Sequence, residues 1–345
     1  MQIEITERQP LLNDSGNIQT AGYAKSLVWD YDRSRIKAGK SRIKEWDYYY
    51  IANGKHALCV TLADLGYVGA LSISTLDFTV PSEVTNSSVF LFPMGKVKMP
   101  ASSKTGGASY RNGKVWFSFE NDGTTRRLTG QYPNYDKKGK DIEFEVTITG
   151  EPCESMVIAT PFREDKYFYY NQKINCMKAE GFFNVSGSKY TFDKKDTLAT
   201  LDWGRGVWTY DNTWYWGSLQ TVLEDGKTFG FNIGYGFGDT SNATENMLFY
   251  DGTSHKIEDV DFGIPGDKEG APRYMDEWHF TSSDKRLNLS FKPLIDRYAP
   301  FDLKIMCMIP HQVFGYFSGE CVLDDGKSIK VDKALGFAEK VHNKW

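Results

Sequence analysis

Apolar and polar residues alternate along most of this chain in short runs punctuated by glycine, asparagine or aspartate. Residues 141–148, Asp-Ile-Glu-Phe-Glu-Val-Thr-Ile, set acid against apolar almost throughout. That period of two fits an antiparallel strand with one face on a core and one in water, and excludes a helix. The runs 114–120 and 125–132 are joined through Asn121-Asp122-Gly123, where Asp-Gly supplies the positive φ of a tight hairpin turn. Runs 56–62 and 69–76 flank Asp64-Leu65-Gly66-Tyr67, and 88–92 runs into Pro93. Strands are also predicted at 157–161, 168–172 and 174–185, where Gly181 marks a bend or a close backbone approach. The same character returns in 212–222, 228–236, 246–250, 256–262, 275–281, 287–293, 301–310, 312–323 and 335–345. The chain reads as all-β. A short segment at 293–298 is the candidate helix or turn, and residues 1–35 read as an extended lead-in that wraps the first domain.

The alternation breaks between 186 and 202, where Ser186-Gly187-Ser188 and Asp193-Lys194-Lys195-Asp196 interrupt it. This predicts two domains, 1–190 and 191–345, each large enough for its own core. Antiparallel runs of this number close their edges most simply as barrels.

Composition narrows the function. Lys and Arg number 41 against 45 Asp and Glu, a formal net charge of -4, and no long basic run occurs, which excludes nucleic acid as the main partner. No basic segment followed by an apolar run opens the chain, and no stretch of 18 apolar residues occurs, so no transmembrane segment and a cytoplasmic location are expected. Cys59, Cys153, Cys176, Cys307 and Cys321 are widely spaced and fit buried thiols in a reducing compartment. The histidines, His56, His255, His279, His311 and His342, have no ligand-pair spacing, so no metal is expected. Gly234-Tyr235-Gly236-Phe237-Gly238 has no apolar helix behind it and reads as a barrel-rim loop, not a phosphate cradle; no cofactor is expected. No Gly-x-Ser-x-Gly elbow is present.

Acidic groups among aromatic rings remain as candidate chemistry. In residues 42–50, Lys44, Trp46 and Tyr48 face one way, while Ile43, Glu45, Asp47 and Tyr49 face the other. Asp202 and Arg205 stand near Trp203 and Trp208, and Glu277 stands beside Trp278 on the same strand face as His279. Aromatic walls exclude water and raise a carboxyl pKa, producing a general acid, while a better solvated carboxylate serves as base or stabilises a cation. The residues therefore suggest Glu45 or Asp47 as proton donor and Asp202 or Glu277 as partner. Lys44, Trp46, Tyr48, Arg205, Trp208, Trp214, Trp216 and His279 are the candidate binding residues. Each has a structural alternative: a solvated acidic face for Glu45 and Asp47, a cross-strand ion pair for Lys44, and barrel core for the tryptophans.

The segments 13–16, 22–25, 42–49, 64–67, 202–216 and 336–345 together resemble the DUF2804 family over nearly the whole chain, and the Lys44–Tyr49 run is fairly specific. That family is in turn remotely similar to the carotenoid 1,2-hydratase relatives and the lipocalin-like Diels-Alderases. The resemblance implies two tandem lipocalin-like (calycin) antiparallel β-barrels packed together. Gly206-Val207-Trp208 matches the Gly-x-Trp of the first strand of a lipocalin barrel, which implies a second barrel starting near residue 202, with Arg205 capping its closed end by stacking on Trp208. The hydratase relatives act on unactivated double bonds of apolar substrates, but no catalytic position carries over from them. Three functions are consistent with these readings: an acid/base enzyme for an apolar or isoprenoid-like small molecule by hydration or isomerisation, a non-catalytic small-molecule binding protein, and a carbohydrate-active enzyme with paired carboxylates.

Overall fold

The computed structural model describes residues 2–302 and 306–345. Among them, the helical turns are two 3-10 segments, Arg33–Arg35 and Lys40–Arg42, and the regular structure is otherwise strand. Two antiparallel sheets divide the chain, one of thirteen strands and one of ten. No helix among the described residues is long and apolar enough to cross a membrane.

The first sheet is ordered around Ile43–Ala52, which pairs on one side with His56–Asp64 and on the other with Leu198–Val207. Leu198–Val207 pairs in turn with Phe168–Val185. The far edges of the sheet meet where Asn112 donates to Ser88 Oγ and the Val89 carbonyl, producing a near-barrel. Its interior is filled by side chains such as Leu58, Val60, Phe117, Phe119 and Phe144. The lead-in also contributes: Leu11, Leu12, Trp29 and Tyr31 are buried in this core. Its first residues cross to the second sheet, where the Ile3 amide donates to the Asn242 carbonyl and Gln2 receives the Thr244 amide.

The second sheet begins at Asp211–Val222, which pairs with Thr228–Tyr235 and with the C-terminal Ser328–Lys344. Cys307–Val322 and Leu287–Tyr298 extend it. Phe229, Phe231, Trp278, Phe280, Phe291 and Phe317 fill its interior.

Several expectations need correction. The sheets do not divide near residue 190. Leu198–Val207 belongs to the first sheet, and the crossing lies at 208–210. Ser186-Gly187-Ser188 is a hairpin turn that folds Ser188–Phe192 back onto Phe168–Val185, and a polar turn has the same composition as a linker. Gly206-Val207-Trp208 accordingly ends a strand of the first sheet and does not open the second. The candidate helix at 293–298 is the end of strand Leu287–Tyr298, with a register shift between Pro293 and Ile295; proline lacks the ladder donor, and a bulge accommodates it. Runs 168–172 and 174–185 form one strand. Gly181 has φ 137, and a Cβ there would lie 2.1 Å from the Glu145 carbonyl, the close approach expected of it. Of the predicted strand 301–310, residues 303–305 lie outside the described residues.

Because Trp29 is buried in the first core and donates its indole N–H to the Thr20 carbonyl, the lead-in is part of the fold. Trp29→Ala is expected to lower the unfolding free energy by about 3–5 kcal/mol, read from the urea midpoint at unchanged slope.

Candidate functional site

Both faces of Ile43–Ala52 and Leu198–Val207 are largely buried, so alternation sorts their charged residues between two interiors. Opposed residues share a face, and the register sets Asp47 against Trp203 and Glu45 against Arg205. These four point into the first barrel. Arg205 is fully buried, stands 3.0 Å from Asp47 and stacks 4.1 Å from the Trp203 ring centroid. It also donates to the carbonyls of Trp46, Gly204 and Pro100, each at 2.8 Å. The expected stacking of Arg205 on Trp208 in the second barrel is thus replaced by stacking on Trp203 in the first. Glu45 pairs with Arg33 and accepts from the Tyr31 hydroxyl at 2.7 Å. Burial pushes both carboxyls upward, and Arg205 opposes that shift. A cavity of about 10 Å³ lies beside Asp47, Ser103, Arg126 and Trp203, at most enough for one water. This is an ion-pair network inside a packed core.

Lys44 lies on the opposite parity. It is fully buried and, instead of the expected cross-strand acid, its ammonium donates to the Leu65 carbonyl at 2.7 Å and lies 4.5 Å from the Tyr67 ring centroid. Burial first, and the nearby Arg42 charge second, lower its pKa to about 7.

Trp46, Tyr48 and Asp202 face outward from the first barrel onto the outer face of the second. Two apolar clusters form that junction. One joins Tyr48, Tyr50 and Phe78 to Trp216, Phe314 and Phe337; the other joins Met156, Tyr169 and Trp208 to Phe237, Met247 and Phe249. Trp208 stands 5.6 Å from Trp214 and 4.6 Å from Phe237, with Trp46 5.1 Å away on its other side.

A band of ionisable groups accompanies these rings. Asp202 pairs with Lys173 at 2.8 Å and accepts from the Asn171 amide at 2.6 Å and the Trp46 indole at 3.1 Å. A Cβ at position 204 would lie 1.9 Å from the Trp46 ring, so Gly204 is what lets that indole reach Asp202. From the second barrel, Glu339 accepts from Trp214 at 2.9 Å and Gln312 at 2.8 Å, and Glu245 accepts from Asn232 at 3.1 Å. Asn232 also receives the Trp216 indole at 2.7 Å, while the Lys173 ammonium lies 3.9 Å from the Trp216 ring centroid. Desolvation raises the pKa of both Glu339 and Glu245. At Glu339 the Trp214 hydrogen bond, Arg297 and Lys173 oppose the shift in that order, and at Glu245 Lys173 opposes it while Asp202 reinforces it. Among the described residues, the indole N–H of Trp208, the Asn171 carbonyl and the Gln312 carbonyl are buried without a hydrogen-bond partner.

The predicted residues therefore separate. Trp46, Tyr48, Asp202, Trp208, Trp214 and Trp216 meet at the junction, whereas Glu45, Asp47 and Arg205 lie behind the sheet. Glu277 and His279 are exposed on the outside of the second barrel, where strand Trp278–Ser282 turns Trp278 and Phe280 inward. Neither joins Asp202. Lys173, Glu245 and Glu339 were missed. Glu339 had a signal in its parity with Phe337 and Val341; Lys173 had one in the polar row Asn171, Lys173, Asn175. Glu245 lies outside any strand, where alternation says nothing. Among the described residues, no group of three His, Cys, Asp or Glu side chains is arranged to hold a metal ion.

Two antiparallel near-barrels packed through their outer faces around an aromatic and acidic band define a tandem calycin-like protein. The chain belongs to the family described as Domain of unknown function (DUF2804), whose model matches residues 2–345. Among solved structures it is similar to a putative AttH from Nitrosomonas europaea, with TM-score 0.55 and 11% identity over 96% of this chain and 98% of that one. It is also similar to kievitone hydratase from Nectria haematococca, with TM-score 0.49 and 12% identity over 98% of each chain. At 11% identity the first likeness is one of fold. No curated protein matches the chain.

A carboxyl with a raised folded-state pKa holds its proton more tightly in the fold. Its contribution to stability is present below the unfolded pKa and lost as pH rises through the folded one. Glu339→Gln removes the ionisation, and the free Gln312 carbonyl can turn to receive the new amide. The melting temperature of this variant relative to the parent is expected to differ little near about pH 4 and to rise toward neutrality. A pH-independent difference would contradict the raised pKa.

Proposed function

We propose that the chain is an acid/base enzyme for an apolar or isoprenoid-like small molecule bound at the junction of the barrels, with Glu339 as proton donor and Asp202 as its anionic partner. The observation that carries this reading is three carboxyl groups, Asp202, Glu245 and Glu339, within the influence of Lys173 among aromatic rings. Excluding water from such a group biases a carboxyl toward its protonated form, as protonation of an alkene requires. Asp202, anchored by Lys173, stabilises the cation that develops after proton transfer. In this reading the rings of Trp46, Trp208, Trp214 and Trp216, the first three in edge-on contact, form the walls for the substrate, and the Trp208 indole and Asn171 carbonyl, unpartnered among the described residues, suit a hydroxyl on it.

Hydration or isomerisation of an alkene is the first reaction to test. Glycoside cleavage by paired carboxylates is less well supported because Glu45 and Asp202 occupy opposite faces of one sheet.

Native mass spectrometry of the freshly purified protein identifies a retained ligand, which then serves as the substrate for turnover. Glu339→Gln is expected to reduce kcat about a hundredfold or more at unchanged fold. The parent rate is expected to fall as pH rises through the raised Glu339 pKa, because the donor loses its proton. Full turnover by Glu339→Gln would remove Glu339 from the role. Ligand retained without any product would favour the binding-protein reading.

A further inference from the structure

Residues 84–119 contain no aspartate or glutamate, although the whole chain carries 45. The same stretch contains Lys96, Lys98, Lys104, Arg111 and Lys114. It also holds the most exposed run of large apolar side chains: Val89 is 55% exposed, Leu91 71%, Phe92 61% and Met94 38%. Clusters of this kind on a soluble domain mark an interaction surface.

The local structure fixes these side chains outward. Strand Ser82–Leu91 buries Phe90 against Tyr110, which turns Val89 and Leu91 out. Beyond it, Pro93, Val97 and Met99 are buried, while Phe92, Met94, Lys96 and Lys98 project. Phe92 and Met94 have φ of 54 and 51, a left-handed conformation that side chains of this size adopt only where the surroundings impose it. Those surroundings are identifiable. The Phe92 and Met94 amides donate to the Tyr67 and Gly66 carbonyls, and buried Asp64 receives the Gly95 and Gly66 amides. The tip of the neighbouring hairpin, which carries Arg111 and Lys114, is tied alongside by Asn112. None of these cations has a carboxylate partner among the described residues.

We infer that this apolar tip with its neighbouring exposed lysines docks the protein on an anionic lipid bilayer, with Leu91, Phe92 and Met94 entering the headgroup region and Lys96 and Lys98 meeting lipid phosphates. The occupant follows from complementarity: apolar side chains with flanking cations match an acidic interface, and a water-soluble acidic partner would leave the apolar tip uncovered. For a protein of net charge -4, an acid-free stretch is the favoured place to meet such a surface.

The test is co-sedimentation of the full chain with vesicles of phosphatidylcholine alone and of phosphatidylcholine mixed with phosphatidylserine. Binding to the mixed vesicles alone is expected. Leu91→Ser with Phe92→Ser, and separately Lys96→Glu with Lys98→Glu, are each expected to lower the bound fraction about tenfold or more. The second pair involves only exposed side chains, and unchanged melting temperatures verify both folds. Equal sedimentation with both vesicle types, none with either, or undiminished binding by either double variant would overturn the inference. So would gel filtration showing a dimer that the Leu91 and Phe92 changes dissociate, since the patch would then be covered by a second copy.

Discussion

The pairing of Ile43–Ala52 with Leu198–Val207 carries the architecture, because both faces of this strand pair are buried and neither offers its charges to water. An ionised group in such a place is stable only with a partner, and losing one partner leaves the other uncompensated. Arg205 meets this constraint on the inner face by serving Asp47, three carbonyls and the Trp203 ring at once. Lys173 meets it on the outer face, through Asp202 and the Trp216 ring. The same backbone pair therefore supports two electrostatic environments separated by one sheet.

Those environments differ in balance. Inside the first barrel, Glu45 and Asp47 face Arg33 and Arg205, two anions against two cations, and the packing leaves room for little besides a water. Such an arrangement specifies register: a one-residue slip would move Arg205 to the other face and leave both carboxylates buried without it. At the junction, Asp202, Glu245 and Glu339 lie near Lys173, with Arg297 also acting on Glu339 and Lys256 on Glu245, and neutral amides and indoles supply further hydrogen bonds. Burial penalises the ionised forms of Glu245 and Glu339 more than these cations and donors offset, so both are biased toward proton uptake.

Much of this was legible in alternation. The facing of Lys44 through Tyr49, the Asp122-Gly123 hairpin and the close approach at Gly181 follow from a period of two and from backbone sterics. What alternation does not contain is which side of a doubly buried strand meets which partner. Glu45 and Asp202 are both acids beside tryptophans in sequence, yet the register places them back to back. The polar turn at 186–188 looked like a linker because a hairpin turn and a domain join draw on the same residues. Glu245 and Glu339 reach the junction from strand and loop positions distant in sequence from Asp202, a tertiary relation that local pattern cannot express.

The tryptophans have a corresponding division of labour. Trp203 and Trp278 fill barrel interiors, where their rings pack beside other rings and their exposure is 1% and 0%. Trp46, Trp214 and Trp216 instead use their indole N–H groups on Asp202, Glu339 and Asn232. An indole in this second role both excludes water from an acid and donates to it, two effects of opposite sign on the acid's proton affinity. At Glu339 desolvation outweighs the Trp214 hydrogen bond, which leaves a carboxyl oriented by an indole yet biased toward its protonated form. Orientation thus comes from the Trp214 indole and proton retention from the burial of the whole junction, with the two acting in opposite senses on the same carboxyl.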